Sequence, residues 1–207
     1  MRSLQHSLFC RGLTGHLLRL ARESSGVVVL EPVNLRWING AADDPADFCA
    51  HGDIAFCIGG DTLVEPAGRE LTVSAAALYL LRTLSVPHTH ENPVGDHLFP
   101  CCGFCLYDVP GEPDVVVCGC PSGEDFEVQY QLDGSGVLVR AMDGREWPVG
   151  WPEWRAAVIG FADRVSEFYA ACSPKEPSED DAAGFMKFKA EWERRRGVGL
   201  GRTSPCT

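Results

Sequence analysis

The chain has 207 residues, 45% of them hydrophobic and 23% charged, with a formal net charge of −11. That length and apolar content suit one domain able to bury a core without cysteine staples, and no run approaches the roughly 20 apolar residues of a membrane-spanning helix. An acidic body repels nucleic acid and anionic membrane surfaces and attracts basic partners.

The charge is unevenly spread. Residues 1–26 hold four arginines against Glu23, a net +3, so the remainder carries −14. An Arg-rich, acid-poor beginning suits a mitochondrial presequence, a mis-assigned start codon before Val27, or a loose extension. It lacks the continuous apolar stretch of a secretory signal. Residues 1–26 are therefore expected to stand outside the fold. Fifteen arginines against three lysines is a usage associated with GC-rich bacterial genomes. Ten cysteines would suit an oxidising compartment in a short, core-poor scaffold, but this chain is neither short nor core-poor. The cysteines are expected to be reduced thiols in a cytoplasmic protein, most of them small buried apolar side chains.

The body opens with "VVVLEPVNLRWI", a β-branched run that predicts a strand, with Pro32 marking an edge or a break. "NGAADDPADFCAHGD" predicts a loop, with His51 as a turn residue, then "IAFCIGG" a strand and "DTLVEPAG" a strand and turn. "TVSAAALYLLRTL" predicts a helix, apolar nearly all round and hence buried, with Thr72 or Ser74 as its cap. After a loop holding His88, His90 and His97, residues 104–150 predict an antiparallel meander. Its elements are "FCLYDV", "DVVVCGC", "FEVQYQL", "VLVRAM" and "REWPVGW". Phe126, Val128, Tyr130 and Leu132 alternate onto one face, and two Asp-Gly pairs supply hairpin turns. "PEWRAAVIGFADRVSEFYAAC" predicts a helix with Pro152 in its first turn and a stripe of Trp154, Val158, Phe161, Val165 and Phe168. "SPKEPSEDD" reads as an acidic linker. "GFMKFKAEWERRR" predicts a last helix with Phe185, Phe188 and Trp192 on one side and Arg194–Arg196 complementing its dipole.

The chemistry-bearing residues crowd at one place. Cys101, Cys102, Cys105, Cys118 and Cys120 fall within twenty residues. They can hold a structural zinc, with His88, His90 and His97 upstream, or simply pack together. Cys118 and Cys120 would share a strand face, which suits joint ligation and joint burial alike. Cys102–Cys105 is a C-x-x-C pair, but a strand follows it where a redox motif needs a helix. Cys49, His51 and Asp53 offer the residue types of a cysteine-dependent enzyme, although triad members meet through the fold rather than in sequence. The acidic loops offer Asp43, Asp44, Asp47 and Glu179, Asp180, Asp181 as a docking surface for a cationic patch. Trp147, Trp151 and Trp192 could serve as anchors or as core.

"WPEWRAAVIGFADRVSEFYAAC", "SPKEPSEDD" and "GFMKFKAEWERRR" together resemble the ending of immunity proteins that accompany bacterial polymorphic toxins. The resemblance covers about a quarter of the chain. It implies an α+β cytoplasmic inhibitor that binds a toxin and does no chemistry, and it carries no ligand residues with it.

The expectation is therefore an α+β fold over residues 27–197, with an antiparallel meander, one helix before it and two after it. Residues 198–207 are expected to form a disordered tail. The expected function is non-enzymatic binding of a basic protein, an immunity-type inhibitor, with no cofactor, no nucleic acid and no membrane. A zinc-holding metalloprotein is the first alternative, and a cysteine-dependent enzyme the second.

Overall fold

The computed structural model describes residues 26–40, 42–103, 105–119 and 122–199. The expectations for residues 1–25, for Cys120 and for residues 200–207 lie outside the described residues.

Three strands come first: β1 (Val28–Arg36), β2 (His51–Ile58) and β3 (Asp61–Val64), antiparallel in that order. Pro32 has no N–H to give, and β1 is an edge strand, where that loss is tolerated. The strand is disturbed two residues later. Asn34 takes φ 54° and the register slips between Val33 and Arg36. Asn is among the few residues that accept this region. Asp53, buried opposite, holds it by accepting the Asn34 side-chain amide at 2.9 Å and the Arg69 N–H at 2.8 Å.

The strand around "IAFCIGG" begins earlier than expected, because His51, Gly52 and Asp53 are already β2 and all three are buried. Gly52 exchanges both backbone hydrogen bonds with Leu71. A Cβ at Gly52 would sit 2.8 Å from the Val33 carbonyl oxygen, so only glycine permits the close approach.

α1 (Val73–Arg82) follows and is buried on every side except at Arg82, as its all-round apolar pattern predicts. Thr72 occupies the N-cap position without capping. Its hydroxyl donates to the Cys101 carbonyl at 3.4 Å, and that of Ser74 to Ala50 at 3.5 Å.

The predicted meander is present as β8 (Phe126–Tyr130), β9 (Gly136–Ala141) and β10 (Glu146–Gly150). Its turns place Gly134 and Gly144 at positive φ, the conformation Asp-Gly pairs favour. Phe126 and Val128 are buried and Tyr130 is half out, whereas Leu132 is fully exposed in the turn. The expected single sheet over 104–150 is divided. β4 (Phe99–Pro100) pairs with β7 (Gly123–Glu124), and β5 (Cys105–Tyr107) with β6 (Val116–Cys118). The outer edge of β8 is closed to them, because His88 exchanges both backbone hydrogen bonds with Val128.

Two helices complete the α+β fold: α2 (Trp151–Ala170) and α3 (Glu179–Gly199). Pro152 lies in the first turn of α2. Trp154, Val158, Phe161 and Val165 are buried, and Phe168 packs at 4.8 Å on Trp37. The core centre is aromatic: Phe126 stands 4.8 Å from Phe56 and 5.1 Å from Phe99. It joins β2, β4, β8 and α2.

α3 begins before the predicted start near Gly184. Ser178 receives the Asp181 N–H at 3.3 Å and donates to the Asp181 carboxylate at 2.7 Å. Glu179, Asp180 and Asp181 thus form the first turn of a helix rather than a linker, favoured there by the helix dipole. The helix also extends to Gly199, through residues 198 and 199 of the expected tail. Arg194 and Arg195 pair with Asp114, and Arg196 with Asp163. They tie α3 to the rest of the fold, beyond complementing its dipole.

Candidate functional site

The loop that carries Asp43, Asp44 and Asp47 meets the 173–176 segment, just ahead of Glu179, Asp180 and Asp181. Glu176 N–H donates to the Pro45 carbonyl at 2.8 Å, and Asp43 accepts Ser173 N–H at 2.6 Å and Lys175 Nζ at 2.8 Å. Several of the carboxylates hold local structure. Asp44 accepts Ala46 N–H, and Asp47 accepts Ile38 N–H at 2.7 Å and Cys49 N–H at 3.3 Å. Asp181 completes the helix cap. Asp44, Glu176, Glu179 and Asp180 are exposed and hold no ion pair among the described residues.

The Lys175 ammonium and the Ser173 N–H pull the Asp43 carboxyl from its ordinary 3.8 down to about 2. A depressed carboxylate pKa contributes above the ordinary value and is lost as pH falls through the folded one. The clasp between the 43–47 loop and the 173–176 segment is therefore expected to be intact above about pH 4 and to open toward pH 2. Carbon-detected NMR of the Asp43 carboxyl, followed with the Ser173 amide, would report it. A midpoint at the ordinary aspartate value would show that the clasp does not form in solution.

Beside this clasp lies a groove between the end of α2 and the length of α3. Its volume is about 310 Å³, and its walls include Tyr169, Phe185, Phe188 and Trp192, at the lower end of ligand-pocket sizes. Phe185 and Phe188 stack 10° from parallel, and Trp192 stands 5.6 Å from Phe188. Lys175 lies on the rim, committed to Asp43 and, at 3.4 Å, to the face of Trp37. Lys189 is exposed, 5.7 Å from the Phe185 ring, and Glu193 is the rim carboxylate. Of the three tryptophans weighed as anchors, Trp147 and Trp192 are buried and Trp151 is half-buried against Tyr130. Trp192 alone combines burial with a place on the groove wall.

The cysteines differ from the expectation of reduced, buried thiols. Cys57 and Cys101 are disulfide-bonded. Cys49 is buried, but Cys102 and Cys105 are only partly covered and Cys118 is exposed. Cys101 and Cys102 sulfurs lie 4.0 Å apart, and Cys105 is the direct cross-strand partner of Cys118. Among the described residues no three His, Cys, Asp or Glu side chains gather as a metal site would require. Of the three histidines near the cluster, His97 has a buried Nδ1 with no hydrogen-bond partner among the described residues. His88 is fully buried, with Nδ1 accepting Val94 N–H at 3.0 Å, so the proton on Nε2 donates to Asp125 at 3.1 Å. His90 is exposed.

Cys49, His51 and Asp53 do not make a relay. Burial pushes the Cys49 thiol well above its ordinary range, the opposite of an activated nucleophile. Burial also lowers His51, and the Asp53 carboxylate is engaged by Asn34 and Arg69.

Sequence reasoning missed a buried ionic cluster. Glu191 is fully buried and accepts from Arg82 at 2.8 and 2.9 Å, Arg195 at 2.6 Å and Val115 N–H at 2.9 Å. The i, i+4 spacing of Glu191 and Arg195 was its only trace in sequence.

Neither a family model, nor a curated protein, nor a solved structure matches the chain. No helix among the described residues is long and apolar enough to cross a membrane.

Proposed function

We propose that the chain is a non-enzymatic binding protein of the immunity-inhibitor kind, whose partner is a basic protein segment carrying an apolar anchor. One observation carries this reading. The groove takes Ser173, Pro174 and Lys175 into its wall, and the same stretch is clasped by the Asp43–Asp47 loop and runs on into the exposed Glu176, so an apolar cleft lies beside an acidic segment. Interfaces of this anatomy draw affinity from a desolvated aromatic centre, and association rate and selectivity from the charged rim. The acidic body and the resemblance of the last third point the same way.

The test is to express the proteins encoded by the adjoining genes, alone and together with this chain. One of them should be a basic protein that arrests growth alone, becomes harmless with the chain present, and co-purifies with it. Replacing Asp44, Glu176, Glu179 and Asp180 by Ser should slow association on the order of tenfold at low salt, with little effect at high salt. Ala170→Trp, which fills the groove from its exposed rim, should weaken binding by about thirtyfold or more, as loss of a hot-spot contact does. A partner that binds equally well to both variants would refute this site. A neutralised toxin that never contacts the chain would refute the inhibitor reading.

A further inference from the structure

The β5–β6 hairpin holds two cysteines at a spacing that suits a covalent bond. Cys105 and Cys118 are Cα partners in an antiparallel ladder, followed by Leu106 with Val117 and Tyr107 with Val116. Directly opposed residues in such a ladder lie about 4.5–5.5 Å apart between Cα atoms and point to the same face. A disulfide needs about 4.4–6.8 Å.

The register is held from three sides. On one face Leu106 is buried and Val117 packs against the core, so a one-residue slip would turn both to solvent. Below, Phe99 pairs with Glu124, Pro100 with Gly123, and Cys101 N–H donates to Ser122 at 3.0 Å. That is the same register continued toward Cys105 and Cys118. Above, Lys187 binds Asp108 at 2.6 Å, and Arg194 and Arg195 bind Asp114. The hairpin also lies on α3, where a Cβ at Gly184 would fall on the Leu106 carbonyl.

The opposite face is open. Tyr107 is 53% exposed and Val116 37%, Cys118 is exposed, and both cysteines are free thiols. Two thiols kept for packing would face the core with Leu106, and these do not.

We propose that Cys105 and Cys118 are a reversible dithiol–disulfide pair that exchanges with a small-molecule disulfide of the glutathione type. The exposed Cys118, as thiolate, attacks one sulfur of the oxidant. Its S–S bond breaks, one glutathione thiolate leaves, and a mixed disulfide forms on Cys118. Cys105, directly across the ladder, then attacks the Cys118 sulfur and expels the second glutathione. Two protein thiols are oxidised, one glutathione disulfide is reduced to two thiols, and the two protons lost by the cysteines balance those taken up by the glutathiones. The bond closes the loop that carries Asp108 and Asp114. Oxidation therefore tightens the segment that grips Lys187, Arg194 and Arg195.

The full chain, equilibrated over a series of oxidised-to-reduced glutathione ratios, alkylated and mapped by mass spectrometry, tests this. A Cys105–Cys118 linked peptide should accumulate as the ratio rises, while Cys49 remains a thiol. The link should survive Cys102→Ser and vanish in Cys118→Ser, where Cys105 should stay reduced. Hairpin amides at residues 106–117 should exchange at least tenfold more slowly in the linked form. Four outcomes would each overturn the proposal: Cys118 stopping as a glutathione adduct, Cys118 linking to Cys102 instead, both thiols persisting at the most oxidising ratio, or stoichiometric zinc shielding both until a chelator is added.

Discussion

Glu191→Gln should destabilise the protein by about 3–5 kcal/mol, the cost of leaving buried charges without their partner. Its carboxylate has no exposed surface and answers two guanidiniums, those of Arg82 and Arg195, whose side chains are themselves nearly covered. It also receives Val115 N–H. Arg82 further binds the Val94 and Val115 carbonyls, each at 2.7 Å. One side chain thus joins the end of α1, the loops at 94 and 115, and the middle of α3. Glutamine keeps the shape and removes the charge, so Arg82 remains in place with no counter-ion and Arg195 keeps only Asp114. At this chain length the melting temperature should fall by roughly 6–20 °C. Arg194→Ala supplies the contrast. It removes a solvent-screened pair with Asp114 and should cost about 0–1 kcal/mol. Thermal melts of both variants decide the matter, and equal losses would mean that Glu191 is solvated in the folded protein.

The same residue shows where sequence reading stops. In "KAEWERRR" only the i, i+4 spacing to Arg195 distinguishes Glu191 from Glu193, yet one is sealed in the core and the other lies on the groove rim. Burial of a charge is decided by which elements cover it, and that is tertiary information. Periodicity needs no such knowledge. The alternation through Phe126 and Val128, the Asp-Gly turns and the stripe from Trp154 to Val165 each follow from local geometry. All three are present in the structure.

The acidic clusters show an intermediate case. That the Asp43 loop clasps the 173–176 segment could not be read from segments more than a hundred residues apart. That Ser178 caps a helix could have been, because Asp181 follows it at capping-box spacing. For the cysteines, spacing alone left burial, ligation and exchange open together. Only the register of β5 with β6 sets Cys105 opposite Cys118, and that register depends on Leu106 and Val117 reaching the core.

Trp154→Ala should cost about 3–5 kcal/mol, the range for deleting a buried aromatic side chain. The ring is fully buried, 6.5 Å from Phe56, and Nε1–H donates to the Thr83 hydroxyl at 3.1 Å. That hydroxyl donates in turn to the Leu80 carbonyl at 2.6 Å, while the Thr83 carbonyl accepts Tyr130 Oη–H at 2.9 Å. The indole therefore does two things: it fills the space between β2 and α2, and it fixes the end of α1. Trp154→Phe separates them, because it keeps most of the ring but loses the donor. Its cost should be about 1–3 kcal/mol, a lost buried hydrogen bond plus a small void. Equal losses for Phe and Ala would mean that the hydrogen bond, not the volume, dominates. The position also isolates stability from binding. Trp154 lies fifteen residues before Tyr169, which is about 22 Å along the helix, and the groove is built at the Tyr169 end. Partner affinity measured well below the lowered melting temperature should be unchanged in Trp154→Ala. A parallel loss of affinity would mean that the groove walls are set by the core at the far end of α2, and that Phe185, Phe188 and Trp192 do not hold the site by their own packing.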